Sequence, residues 1–173
     1  MKIRILTGFS PLFLLVVINL TSCRMSYSFT GASIPPTVQT IQIDNFPNNS
    51  MLINPLLSQE LTDALRNRFQ SQTNLTLVNK DGDLVISGEI TDYNTRPTAI
   101  QGDDVAALNR LTITVKVNFT NKVDPSQSFQ NQTFSRFEEY PSTQDLMTVQ
   151  DELIKQINEY LVDDIFNRTV VNW

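Results

Sequence analysis

Apolar and polar residues alternate most regularly between Leu111 and Thr120. The odd positions are all apolar, and every even position is threonine, lysine or asparagine. A period of two residues is that of a β-strand, in which successive side chains point to opposite faces. The segment therefore predicts an antiparallel strand with one face in the core and the other face in contact with water.

Weaker strand patterns occupy residues 37–46, 75–79, 84–93 and 129–138. The dipeptide Asp81-Gly82 lies between the second and third of these segments and predicts a hairpin, because a tight turn needs positive φ. Residues 95–106 contain Pro97 and Gly102 and predict a long loop before the regular strand.

Two segments show the spacing of amphipathic helices. Asn54 followed by Pro55 is a favourable helix start, and apolar residues then recur at helical spacing to about Gln70. The second helix is predicted to begin with a capping box over residues 142–145. Its predicted apolar stripe consists of Leu146, Val149, Leu153, Ile157, Tyr160 and Leu161.

The resulting order is β-α-β-β-β-α. It predicts an α+β fold, with two helices packed on one face of a four- to five-stranded mixed, mostly antiparallel sheet. We expect this single domain to span residues 37–173. Residues 23–36 are expected to form a tether, because Pro35 and Pro36 exclude a helix there.

The first residues have the anatomy of an export signal. Lys2 and Arg4 precede an apolar run of about 12 residues, shorter than the ~20 that a membrane span needs. The run ends in Leu20-Thr21-Ser22-Cys23, which resembles the lipobox of bacterial lipoproteins. The resemblance implies that residues 1–22 are removed and that Cys23 carries acyl chains such as palmitate, which anchor the protein. The alternatives are a plain signal peptide with a chance cysteine, or a buried free thiol.

Composition excludes several classes of site. The chain has 173 residues, no histidine and one cysteine, so it has no Ser-His-Asp triad, no histidine-bound zinc and no internal disulfide. The formal charge is −5, and it becomes −7 when Lys2 and Arg4 leave with the signal, which argues against nucleic-acid binding. We therefore expect no enzymatic activity, no metal and no cofactor.

The chain also resembles the LptE family of lipopolysaccharide-assembly lipoproteins, in its Bacteroidetes-type branch. The segments that carry the resemblance are Tyr27–Gly31, Asn54–Ser58, Gly82–Leu84, Asn109–Val115, Phe134–Arg136, Asp164–Asn167 and Asn172–Trp173. It implies an outer-membrane lipoprotein that plugs the lumen of the β-barrel LptD, supports assembly of that barrel and contacts lipopolysaccharide. Because residues 24–28 lack the acidic residues typical of surface-exported lipoproteins, we expect the periplasmic side of the outer membrane.

Two sets of residues are candidates for these roles. Lipopolysaccharide phosphates favour lysine and arginine, and the candidates for this contact are Lys80, Arg96, Arg110, Lys116 and Arg136. A barrel lumen is polar, and the candidates for facing it are Thr112, Thr114 and Asn118. Solvated surface charges and an ordinary solvated sheet face are the alternatives for the two sets.

A lipoprotein adaptor or activator of a periplasmic cell-envelope enzyme is the alternative function, since a shared fold does not settle function. Such a protein must reach away from the membrane, whereas the tether after Cys23 extends about 40 Å at most. The short tether therefore favours work at the membrane.

Overall fold

The computed structural model describes residues 34–52, 54–101 and 105–171. The predicted signal peptide, Cys23, most of the tether and the terminal Asn172–Trp173 lie outside the described residues. The main elements are β1 Thr40–Ile43, α1 Leu57–Gln72, β2 Thr76–Leu77, β3 Leu84–Gln101, β4 Val105–Asn121, β5 Phe129–Pro141 and α2 Leu146–Phe166. A short π-helical turn, Asn167–Val171, extends α2.

The five strands form one mixed sheet in the order β2-β1-β3-β4-β5. β1 is parallel to both of its neighbours, and β3, β4 and β5 are antiparallel to one another. Both helices pack on the same face of this sheet. The α+β prediction is therefore confirmed.

The regular alternation of β4 correctly predicts the face of the sheet that contacts the helices. Leu111, Ile113, Val115, Val117 and Phe119 are all fully buried. They pack against the stripe of α1 that contains Leu61, Leu65 and Phe69, and against Ile157 and Leu161 of α2. Burial of this apolar surface is the main source of stability.

The two helices run side by side in the same direction. Near their N-terminal ends, Asn54 donates to Gln150 across 3.5 Å. Near their C-terminal ends, the rings of Phe69 and Phe166 meet edge to face with centroids 5.0 Å apart. The helices consequently form a parallel pair with a continuous seam between them.

The predicted helix starts are partly correct. Asn54 Oδ1 accepts hydrogen bonds from the amides of Leu56 and Leu57, at 2.9 and 3.2 Å, and so stabilises the turn that leads into α1. The helix itself begins two residues later than predicted, at Leu57, with Leu56 as its N-cap residue. Asp145 caps α2 by accepting from the Met147 amide at 3.0 Å, so the helix begins after the proposed capping box. Tyr160 is 49% exposed and lies outside the buried stripe of α2, contrary to the prediction.

The hairpin predicted around Asp81-Gly82 is wrong. β1 lies between β2 and β3, so the turn connects two strands that are not hydrogen-bonded to each other. The local signal is nevertheless real, because Asp81 has φ 58°. Gly82 is required by close packing, since a Cβ there would lie 2.6 Å from the backbone nitrogen of Gln42.

The long loop predicted over residues 95–106 is also wrong. β3 continues to Gln101 and β4 begins at Val105, so the two strands form a long antiparallel ribbon. A register shift between Ile90 and Asp92 changes the phase of β3. Such an extra residue is a β-bulge, and it turns Tyr93 into the core, where its hydroxyl donates to Gln150 of α2 at 3.2 Å.

Candidate functional site

The face of the sheet opposite the helices is covered by no helix of the described chain. Because directly paired residues share a face, the strand registers define this surface, here called the open face. Its residues include Val85, Ser87, Glu89, Asp92, Asn94 and Arg96 of β3, Leu108, Arg110, Thr112, Thr114, Lys116, Asn118 and Thr120 of β4, and Thr133, Ser135, Phe137 and Glu139 of β5. Hydroxyl, amide and charged groups therefore make up most of this surface, and Val85, Leu108 and Phe137 are its larger apolar members.

The ribbon end of the open face brings two arginines together. Arg96 of β3 lies directly opposite Arg110 of β4. The guanidinium of Arg110 donates to Glu139 Oε1 from Nη2 at 2.6 Å and from Nε at 3.2 Å, and its Cζ lies 3.9 Å from the centroid of the Phe137 ring. In the described part of the chain, no ion pair involves Arg96. Arg96 is consequently available to an anionic group.

Lys116 lies on the same face but at a distance. It is six residues from Arg110, which is about 20 Å along a strand. Its ammonium is 3.9 Å from Glu89, the residue directly opposite, and both side chains are well exposed. An exposed pair of this kind contributes little to stability, so Lys116 is loosely held and accessible.

The other two candidate cations, Lys80 and Arg136, do not lie near Arg96 and Arg110. Lys80 lies in the β2–β3 turn, about 40 Å along β3 from Arg96. Arg136 pairs with Ile113 and so points to the helix side of the sheet, where it donates to both carboxylate oxygens of Asp164 at 2.6 Å. Those bonds and the charge of Asp164 raise the pKa of Arg136, which keeps it charged. The five candidates therefore do not form one basic patch.

The three candidates for facing a barrel all lie on the open face, where two of them contact β5. Thr114 and Ser135 share a hydrogen bond of 2.9 Å between their hydroxyls. Asn118 Oδ1 accepts from the backbone amide of Asn131 at 2.7 Å, and Asn131 adopts φ 56° at a bulge of β5. Asn118 therefore also shapes the edge strand.

Sequence patterns alone did not find the contribution of β5 to the open face. Phe137 is 48% exposed beneath the Arg110 guanidinium, and Glu139 holds that guanidinium by accepting two hydrogen bonds from it. The signal that identifies both residues is the pairing of β5 with β4, which places them opposite Thr112 and Arg110. Register between strands is long-range information that a single strand pattern does not contain.

No helix of the described residues has both the length and the apolar character that a membrane span requires. No curated protein matches the chain. Among solved structures, the fold is similar to that of an uncharacterized lipoprotein B from Nitrosomonas europaea. The TM-score is 0.51 at 13% identity, over 74% of this chain and 79% of that one. It is also similar to a hypothetical protein from Chlamydia trachomatis, with a TM-score of 0.52 at 12% identity over 76% and 95% of the two chains.

The family comparison covers most of the domain described above. Residues 38–169 match the family model LptE, whose description is lipopolysaccharide assembly. The matched segment begins just before β1 and ends in the turn after α2, so it includes every strand and both helices. The chain therefore belongs to the LptE family of lipopolysaccharide-assembly proteins.

Proposed function

We propose that this lipopolysaccharide-assembly protein is a non-catalytic outer-membrane lipoprotein that fills the lumen of an LptD-type β-barrel. In this proposal acyl chains on Cys23 hold it on the periplasmic side of the membrane. The observation that carries the proposal is the open face, a wide and polar sheet surface without a covering helix in the described chain.

The chemistry of the open face suits a barrel interior. A barrel lumen is lined by polar side chains and water, so a plug must offer hydrogen-bonding groups instead of an apolar patch. Thr112 and Thr133 offer hydroxyls, and Asn94 offers an amide. The larger apolar side chains that the registers place on the open face are Val85, Leu108 and Phe137, and the Arg110 guanidinium covers part of Phe137.

Lipopolysaccharide would contact the ribbon end of this face in the same proposal. Arg96 and Arg110 lie side by side, and among the described residues a carboxylate pairs with Arg110 but not with Arg96. Guanidinium groups bind phosphate through paired, charge-assisted hydrogen bonds. Arg96 is therefore the principal phosphate ligand in this account, and Arg110 is a positioned second donor.

Photo-crosslinking in intact cells tests the orientation. A benzoyl-phenylalanine residue at position 112 should give an adduct with a large outer-membrane β-barrel, which mass spectrometry identifies. The matched position is 152, because Glu152 is exposed on the helix side of the molecule. Barrel adducts from position 152 alone would place the wrong face against the barrel. Adducts only with a periplasmic enzyme would favour the adaptor function instead.

A further inference from the structure

A groove runs along the seam between α1 and α2, on the side of the helices that faces away from the sheet. Its volume is about 600 Å³, within the usual range for ligand sites. Its walls are Leu56, Gln59, Glu60, Asp63, Ala64 and Asn67 of α1, and Asp151, Lys155, Asn158 and Glu159 of α2. From Leu56 to Asn67 it extends about 16 Å along the helix axis, the length of about five extended residues.

The charges in the groove are strongly unbalanced. Glu60, Asp63, Asp151 and Glu159 line it together with a single cation, Lys155. Only Asp63 has a partner on its own helix, Arg66, at 3.5 Å. Burial, and next the charge of Asp151 across the seam, raise the pKa of Glu60. Exposed carboxylates of the two helices thus face each other across the groove, and a like charge nearby disfavours the ionised form of each, so the groove favours a cation.

The other end of the same seam shows how such a cation is accommodated. There Arg68 of α1 reaches across to Asp163 of α2 at 2.5 Å, and its guanidinium lies 5.4 Å from the centroid of the Phe166 ring. At the end that contains Glu60 and Asp151, no ion pair in the described chain crosses between the helices. A guanidinium from another molecule could bridge the two helices at this end, as Arg68 does at the other end.

Asn158 provides a second and independent indication of a ligand. Its side chain lies in the groove wall and is only 3% exposed, yet its Oδ1 has no hydrogen-bond partner within the described residues. A buried acceptor without a donor is costly and needs an explanation. The oxygen is enclosed in the present orientation of the amide, so a cationic N–H donor in the groove would supply the missing bond once the Asn158 amide turns toward it.

The carboxylates of the groove are spaced along the two helices, and this spacing favours an extended ligand with several positive charges over a single metal ion. Nowhere in the described ranges do three carboxylate, thiol or imidazole groups come close enough together to hold a metal ion. We infer that the interhelical groove binds a basic peptide segment of a partner protein, whose arginine or lysine side chains pair with Glu60 and Asp151 and donate to the Asn158 amide oxygen when that amide turns into the groove. The inference does not depend on which face of the sheet meets a barrel.

Fluorescence anisotropy with a labelled hexa-arginine peptide and the full chain in mild detergent tests this site. The variant Glu60→Gln/Asp151→Asn should weaken binding at least tenfold at low salt and should not lower the urea midpoint, because it removes a repulsion. The matched control is Asp81→Asn/Glu152→Gln, which removes the same charge at exposed positions away from the groove. The control should change binding less than twofold. Equal losses of affinity in the two variants would show that the peptide responds only to the net charge of the protein, and this result would overturn the inference.

Replacement of Asn158 separates a ligand role from a structural one. Asn158→Leu keeps the side-chain size and removes the unpaired acceptor, so the urea midpoint should stay the same or rise while peptide binding falls about fivefold. Unchanged binding together with a lower midpoint would show that the amide serves the fold alone. Competition by spermine that equals competition by unlabelled peptide at the same charge concentration would also overturn a peptide site, in favour of a small polycation.

Discussion

Asp83 and Thr40 bind each other reciprocally across the sheet. Asp83 Oδ2 accepts from the Thr40 amide at 2.9 Å and from the Thr40 hydroxyl at 2.8 Å, and the Asp83 amide donates back to that hydroxyl at 2.9 Å. The same Oδ2 also accepts from the amide of Gln39 at 2.9 Å. These bonds fix the turn before β3 to the start of β1. They therefore stabilise the strand order in which β1 lies between β2 and β3.

Asp83→Asn should lower the free energy of unfolding by about 1–2 kcal/mol at pH 7. The reason is that hydrogen bonds to a charged acceptor are stronger than those to an amide. Urea denaturation measures the effect. Asp81→Asn is the matched control, because its side chain is 98% exposed and asparagine tolerates the positive φ of that position. An equal effect of both substitutions would contradict the special role of Asp83.

The stability should also depend on pH through Asp83. Its three hydrogen bonds from Gln39 and Thr40 lower the pKa of its carboxyl group. A lowered pKa in the folded state gives stability that is fully present above the unfolded value of about 3.9 and is lost as pH falls through the folded value. The difference in unfolding free energy between wild type and Asp83→Asn should therefore shrink between pH 5 and pH 2. A constant difference over that range would contradict this assignment.

Gly88→Ala should destabilise the domain by about 2–3 kcal/mol, the cost of overpacking a tight site. A Cβ at Gly88 would lie 2.3 Å from the backbone oxygen of Lys116 and 2.5 Å from Cε1 of Phe46, whose ring is fully buried. Thermal unfolding measures the loss. Ser87→Ala, on the open face of the same strand, should change the midpoint little, and an equally small change for Gly88→Ala would contradict the close packing of Phe46.

Local patterns predicted the parts of this fold that depend on local physics. The alternation of β4 identified the core face, and Asn54 identified the turn that leads into α1, because both depend on residues that are near in sequence. The positive φ near Gly82 was also a correct local inference, but the partner of the turn was not. The insertion of β1 between β2 and β3 is a long-range event, stabilised by the bonds from Asp83 to Thr40.

The part of the candidate site that lies on β4 was predictable from the sequence, whereas the parts on β3 and β5 were not. The strand pattern placed Thr112, Thr114, Lys116 and Asn118 on one face, and the structure has them there. The face of Arg136 depends on the register of β5 with β4, which pairs it with buried Ile113 and brings it to Asp164. The bulge after Ile90 likewise changes which side chains of β3 join the open face.

Arg96→Glu should weaken lipopolysaccharide binding about tenfold, because it replaces an unpaired guanidinium with a charge that repels phosphate. Lys116→Glu should weaken it less, since Glu89 already offsets Lys116. Surface plasmon resonance on immobilised lipopolysaccharide measures both. Lys80→Glu makes the same charge change at the far end of β3 and should have less than a twofold effect. Equal losses in all three variants would indicate attraction by overall charge.

Cys23→Ala should release the protein from the membrane fraction, because the proposed acyl chains are its principal anchor. Cell fractionation followed by immunoblotting measures the distribution. Substitution of Ser22 by alanine keeps a small residue before the cysteine and should leave the protein in the membrane. Persistent membrane association of Cys23→Ala would show that another contact anchors the chain.

Purification from native membranes in mild detergent tests the central claim most directly. The protein belongs to a lipopolysaccharide-assembly family, and its open face is proposed to lie against the inside of a barrel. The account predicts that a single large outer-membrane β-barrel co-purifies with it in a one-to-one ratio, as quantified by mass spectrometry. Recovery of the intact lipoprotein with no β-barrel partner under those conditions would contradict the account.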